Sequence, residues 1–98
     1  MKAYELLSSP EKWTQGAYAK TAANVVCHPL DAVAVCWCVS GAIFKCYSND
    51  EGECEAHRQR HKLEIYLRDV KGTAAYSQQW NDRTTYEEVY AALKACDI

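Results

Sequence analysis

The spacing of apolar positions changes character several times along the chain, and each change marks a different element. Ala3, Leu6 and Leu7 share one face of a short first helix. Ser9-Pro10 then opens a further turn, with serine at the cap and proline, which has no N–H to lose, at the first helical position. Trp13 follows as an expected core residue. Two short segments, Ala17–Lys20 and Val25–Cys27, flank Thr21-Ala22-Ala23-Asn24. That arrangement predicts a hairpin or tight turn with Asn24 at positive φ. Pro29 punctuates the chain next, and Asp31 is placed to cap a helix.

Ala32–Tyr47 carries no charge before Lys45 and is apolar on every side, the pattern of a helix buried all round. A strand over Ala32–Val39 is the competing reading, but the 16-residue length favours a helix, which would be the central element. Within it Ser40-Gly41-Ala42 removes side-chain bulk and predicts a close backbone approach by a neighbour. Ser48–Glu53 reads as a loop. Ala56, Leu63, Tyr66, Leu67 and Val70 then recur at helical spacing, with acids leading, where the helix dipole is positive, and bases after them. Lys71-Gly72 ends that helix through a left-handed glycine. Thr73–Asn81 is expected to be a loop or short strand. Thr84-Thr85-Tyr86-Glu87 has the form of a capping box leading into Tyr86, Val89, Tyr90 and Leu93. Together these elements predict a mainly α (α+β) fold, a compact single domain over residues 1–98. A central buried helix is joined by about three flanking helices and a small β-hairpin, and Trp13, Trp37 and Trp80 are expected to meet in the core.

Length and composition agree with one folded domain. A chain of 98 residues supports a single core but not a deep substrate cleft as well. With 49% hydrophobic and 24% charged residues it lies far from the composition of disordered chains. Its 11 basic and 13 acidic residues give a net charge of −2, which argues against a generally basic nucleic-acid binder. The sequence opens Met-Lys-Ala-Tyr-Glu-Leu-Leu without the apolar run of a leader, and its longest uncharged apolar stretch, Ala32–Phe44, falls short of the roughly 20 residues that span a bilayer. A cytoplasmic location is therefore expected, with the six cysteines reduced rather than forming a disulfide framework.

Several cysteines and histidines have spacings or neighbours that bear on chemistry. Cys46, Cys54, His57 and His61 form the one metal candidate, spaced so that three ligands could converge from one helix. The spacing departs from that of zinc fingers, and Arg58, Arg60 and Lys62 would oppose a cation, so no metal and no cofactor is expected. Cys36 and Cys38 are expected to be core packing, because residues two apart on a helix face different sides. Cys27-His28 places a base beside a thiol, but adjacency without a third, orienting group does not make a dyad. No serine triad, phosphate loop or close carboxylate pair is visible, so no catalytic residue is assigned and an enzyme is not expected. The remaining candidate is a polar docking surface. Asp50, Glu51, Glu53 and Glu55, followed by Arg58 and Arg60, could meet a partner of complementary charge, with surplus tyrosines such as Tyr47 and Tyr76 partly exposed beside them.

Three phrases in order carry a resemblance. Trp13-Thr14-Gln15-Gly16-Ala17-Tyr18-Ala19, then Trp37-Cys38 with Gly41-Ala42, then Trp80-Asn81-Asp82-Arg83-Thr84 before Glu88-Val89, resemble a family of small uncharacterised bacterial and phage proteins. This chain departs from the family pattern at Thr21, where an aspartate is usual, at Asn24 in the turn, and at Arg83, which follows Asp82 directly. The resemblance implies a compact, mainly helical domain and supplies no reaction. With the missing catalytic groups, it leads to the expectation of a non-enzymatic protein-binding module of phage or mobile-element type. Such a module would dock on a host protein complex, for example as an anti-defence inhibitor of a CRISPR effector. A small zinc-binding module, or nucleic-acid binding through Arg58, Arg60 and Lys62, is the alternative.

Overall fold

The computed structural model describes residues 1–48, 54–73 and 76–98, with the Cys54 side chain left out. Its elements are α1 (Ala3–Leu6), a 3-10 turn (Pro10–Lys12), β1 (Ala19–Thr21), β2 (Ala34–Trp37), α2 (Val39–Tyr47), α3 (Cys54–Asp69), α4 (Ser77–Asn81) and α5 (Tyr86–Cys96). The fold is mainly helical with a small antiparallel sheet.

The sheet is where sequence pattern and structure part. Residues 32–47 do not form one helix. Ala34–Trp37 is a strand that pairs antiparallel with β1, Ala19 opposite Trp37 and Lys20 opposite Cys36, and α2 begins only at Val39. An irregularity between Lys20 and Thr21 leaves Val35 as an extra residue on β2. Long-range partners take the backbone groups that a continuous helix would have used. Cys38 N donates to Tyr18 O at 3.2 Å, and Trp37 O accepts from Thr14 N at 3.0 Å. Cys38 then caps α2, its sulfur accepting from Gly41 N. An apolar run cannot signal this break, since a buried strand and a buried helix are equally apolar. Asp31, expected to cap a helix, lies instead in the turns that lead into β2.

The expected turn at Thr21–Asn24 is present, with Asn24 at φ 63° and Thr21 N donating to Val25 O. Val26 bridges Lys20 on the free side of β1, so residues 25–27 extend the sheet beyond the β1–β2 pair. On the opposite edge Trp13 bridges Trp37.

The core lies between α2, α3 and α5. Val39, Ala42 and Ile43 of α2 meet Ala56, Leu63 and Leu67 of α3 and Val89, Ala92 and Leu93 of α5, all buried. α1 closes one end: Ala3 N donates to Ile98 O and Tyr86 Oη donates to Leu7 O, both at 2.6 Å. Val70, placed by periodicity on the buried face of α3, lies past its last residue and is exposed. Gly72 follows at φ 70°, as its position predicts. Ser77–Asn81 forms a short helix rather than the expected loop or short strand. α5 is capped by Thr85, whose hydroxyl accepts from Glu88 N, one residue later than the capping box starting at Thr84. The three tryptophans do not share one core position. Trp37 is buried, whereas Trp13 and Trp80 are half-buried against the core margin.

Gly41 sets how closely β1 approaches α2. A Cβ at this position would overlap the carbonyl oxygen of Tyr18, which confirms the close approach predicted by Ser40-Gly41-Ala42.

Candidate functional site

The most polar of the recognisable phrases are bound to one another. Asn81 is fully buried at the end of α4, and its carboxamide uses its full hydrogen-bonding capacity. Oδ1 accepts from Trp13 Nε1 at 2.6 Å and from Val39 N at 2.9 Å. Nδ2 donates to Thr14 O at 3.0 Å and to Asp82 Oδ1 at 3.3 Å. Gln15 Nε2 reaches Asn81 O and Thr84 O, and Gly16 N donates to Asp82 Oδ1. Trp13, Gln15, Asn81 and Asp82 thus form a clasp that ties the chain before β1 to the α4–α5 junction and to the start of α2. Their chemistry is consumed in holding the fold together.

Burial works against activation of four of the thiols. Cys27, Cys36, Cys38, Cys46 and Cys96 are free. Burial pushes the Cys38 thiol up to about 11. Burial also raises Cys46 and Cys96, and raises Cys27 with help from the charge of Asp31. A nucleophilic thiol needs the opposite shift. His28 is not aimed at Cys27, because its Nδ1 accepts from Leu30 N at 3.1 Å.

Of the four metal candidates, the Cys46 thiol feels the charges of the N-terminal amine, Lys45 and Glu5, while His57 lines a cleft with Phe44 that Cys46 does not line. His61 is exposed one turn along α3, and the Cys54 side chain lies outside the described residues. Among the described residues no group of three His, Cys, Asp or Glu side chains is arranged to hold a metal ion.

Of the docking candidates, Asp50, Glu51 and Glu53 lie outside the described residues. Glu55 and Arg58 form an ion pair at 3.2 Å on the surface of α3, and Gln59 also donates to Glu55. Hydrogen bonds from Gln59 and Arg58 hold the Glu55 carboxyl below its ordinary range. Arg60 points elsewhere, into a cleft. Arg58, Arg60 and Lys62, each two residues apart on a helix, do not form one basic stripe.

That cleft, of about 320 Å³, lies between Tyr18 just before β1, the His28–Pro29 segment, α2 and α3. Tyr18, His28, Ser40, Phe44, His57 and Arg60 line it. His28 meets Phe44 edge to face at 5.5 Å between ring centres. Arg60 Nη2 lies 3.1 Å from His57 Nδ1, and since a guanidinium only donates, that ring nitrogen accepts. Beyond Ser40 a second lobe continues past Glu64, Tyr76 and Ser77. Here Ser40 Oγ and Ser77 Oγ share a buried hydrogen bond of 2.6 Å, and Ser77 N donates to Glu64 Oε2 at 2.7 Å. The sequence pointed to His28 only as a neighbour of Cys27 and to Ser40 only as a small residue, because the cleft is assembled from segments distant in the chain.

A second surface went unread in the sequence. Tyr18, Val25, Val26, Leu30, Val33 and Val35 are all exposed, six of the ten exposed large hydrophobic residues among those described, and all lie on the stretch 18–35 that builds the sheet. Val26 pairs with Lys20 through bonds made by its neighbours, Thr21 N to Val25 O and Cys27 N to Ala19 O. Its own N–H and C=O therefore point outward along an open sheet edge.

No helix among the described residues is long and apolar enough to cross a membrane. A family of unknown function, DUF6197, matches residues 1–97. No curated protein and no solved structure matches the chain.

Proposed function

This chain belongs to the DUF6197 family, and we propose that it is a non-enzymatic protein-binding module. The observation that carries this reading is the concentration of exposed Tyr18, Val25, Val26, Leu30, Val33 and Val35 on one stretch of chain beside an open sheet edge. Soluble domains seldom leave apolar side chains so grouped unless a partner covers them. The docking surface is thereby moved from the charged segment around Glu55 and Arg58 to the sheet. Support for a non-catalytic role comes from the polar groups: the clasp residues are fully engaged with one another, and burial disfavours the thiolate at Cys27, Cys38, Cys46 and Cys96. Within this reading the partner is a host protein complex, and the resemblance to small bacterial and phage proteins supports an anti-defence role as its specific form.

The test is affinity capture from a host lysate, with the wild-type chain compared with Val26→Asp/Val33→Asp. Both positions are exposed, so the double variant should melt like the wild type. It should lose the partner that the wild type retains. Equal retention by both proteins would remove the sheet surface from the proposal, and failure of the wild type to retain any protein counts against the module itself.

A further inference from the structure

We propose that the cleft between β1, α2 and α3 binds a small phosphate monoester that carries an aromatic group, of nucleoside-monophosphate size, with Arg60 as the anchor for the phosphate. Three observations converge on that chemistry. The first is the cation. Among the described residues Arg60, unlike Arg58 and Arg68, has no carboxylate within ion-pair distance; its guanidinium lines the cleft and donates to His57 Nδ1, which leaves further N–H groups for a ligand. The residue one turn further on, Glu64, has Oε2 turned to Ser77 N instead. A half-buried guanidinium lining a cleft with no carboxylate within ion-pair distance is a site for a planar or tetrahedral oxyanion.

The second is the set of neutral donors around it. His28 accepts from Leu30 N through Nδ1, so a neutral ring carries its proton on Nε2 and donates from there. Ser40 and Ser77 share one hydrogen bond, and whichever hydroxyl accepts keeps its own proton for a further partner. Arginine, imidazole and hydroxyl donors from three separate segments suit the three terminal oxygens of a phosphate monoester better than the two of a carboxylate.

The third is the wall. Phe44, Tyr18 and Pro29 give the cleft aromatic and apolar sides, with His28 already edge-on to Phe44. A volume of about 320 Å³ lies at the small end of ligand pockets. It is larger than inorganic phosphate needs and is of the size of a nucleoside carrying one phosphate. This site shares only Tyr18 with the proposed docking surface, so either can fail without the other.

The experiment is a titration of the full chain, 15N-labelled, with adenosine monophosphate, inorganic phosphate and adenosine, followed by backbone amide shifts. Adenosine monophosphate should move the amides of His28, Ser40, Phe44 and Arg60 with a sub-millimolar Kd, and phosphate and adenosine should each bind at least tenfold more weakly. Arg60→Gln should weaken adenosine monophosphate at least tenfold while leaving the melting midpoint and the remaining amide spectrum unchanged. His28→Gln, read in the same way, should weaken it several-fold and serves if Arg60→Gln does not fold. Unmoved cleft amides at millimolar ligand, adenosine binding as tightly as its monophosphate, or undiminished affinity in a folded Arg60 or His28 variant would each overturn the assignment.

Discussion

Trp13 Nε1 donates to Asn81 Oδ1 at 2.6 Å across 68 residues of chain, and the same oxygen accepts from Val39 N. One buried side chain thereby joins the segment before β1, the start of α2 and the end of α4. Asn81→Ala leaves both donors and the carbonyl of Thr14 without their partner at a fully buried side-chain position. Each orphaned group costs about 1–3 kcal/mol, so the variant should lose about 3 kcal/mol or more in urea unfolding. A loss under about 1 kcal/mol would show that water replaces the carboxamide.

Gly41 and Gly16 separate two reasons for glycine. At Gly41 a Cβ meets the Tyr18 backbone, so Gly41→Ala must part β1 from α2 and should cost about 3 kcal/mol or more, at the upper end of overpacking. Gly16 faces open space but sits at φ 78°, and Gly16→Ala should cost only about 1–2 kcal/mol through backbone strain. Equal losses in thermal unfolding would contradict the close approach.

Trp37 is buried and its indole N–H bonds Pro29 O at 3.0 Å. Trp37→Ala should cost about 3–5 kcal/mol. Trp80 is only half-buried, so Trp80→Ala should cost clearly less. An unchanged midpoint for Trp37→Ala would refute its placement in the core.

The buried thiols give stability a definite pH dependence at the alkaline end. Cys38 titrates at about 11 in the folded chain against an ordinary value of 9.0. Its folded value is the higher one, so the unfolded chain loses this proton first. The contribution is complete below pH 9 and is lost as pH rises from 9 through 11. Cys27, Cys46 and Cys96 shift in the same direction and add to the effect. Melting midpoints should fall over that interval. The fall should be smaller in Cys38→Ser, which retains a capping side chain for Gly41 N without a group that titrates there.

Several elements were legible in the sequence because their signals are local. Asn24 at positive φ, the glycine stop after α3, the periodic faces of α3 and α5, and the small residue at Gly41 all follow from steric rules acting within a few residues. The strand Ala34–Trp37 was not legible. Val, Cys and Trp in an apolar run suit a buried helix and a buried strand alike, and the deciding groups, Tyr18 O and Thr14 N, lie some twenty residues upstream. Val33 and Val35 fall for the same reason in a run that reads as a buried helix, although the structure exposes both.

The sequence by itself determined the class of fold, the Asn24 turn, the glycine stop after α3, and the three phrases that mark the family resemblance. Only the tertiary structure decided what those phrases do: Trp13, Gln15, Asn81 and Asp82 hold each other, while Arg60 and His28, which belong to none of the phrases, line the cleft. The physical reason is range. Backbone sterics and periodicity act over a few residues and are written in order along the chain, whereas a satisfied buried amide or a cleft wall depends on which distant segments the core brings together.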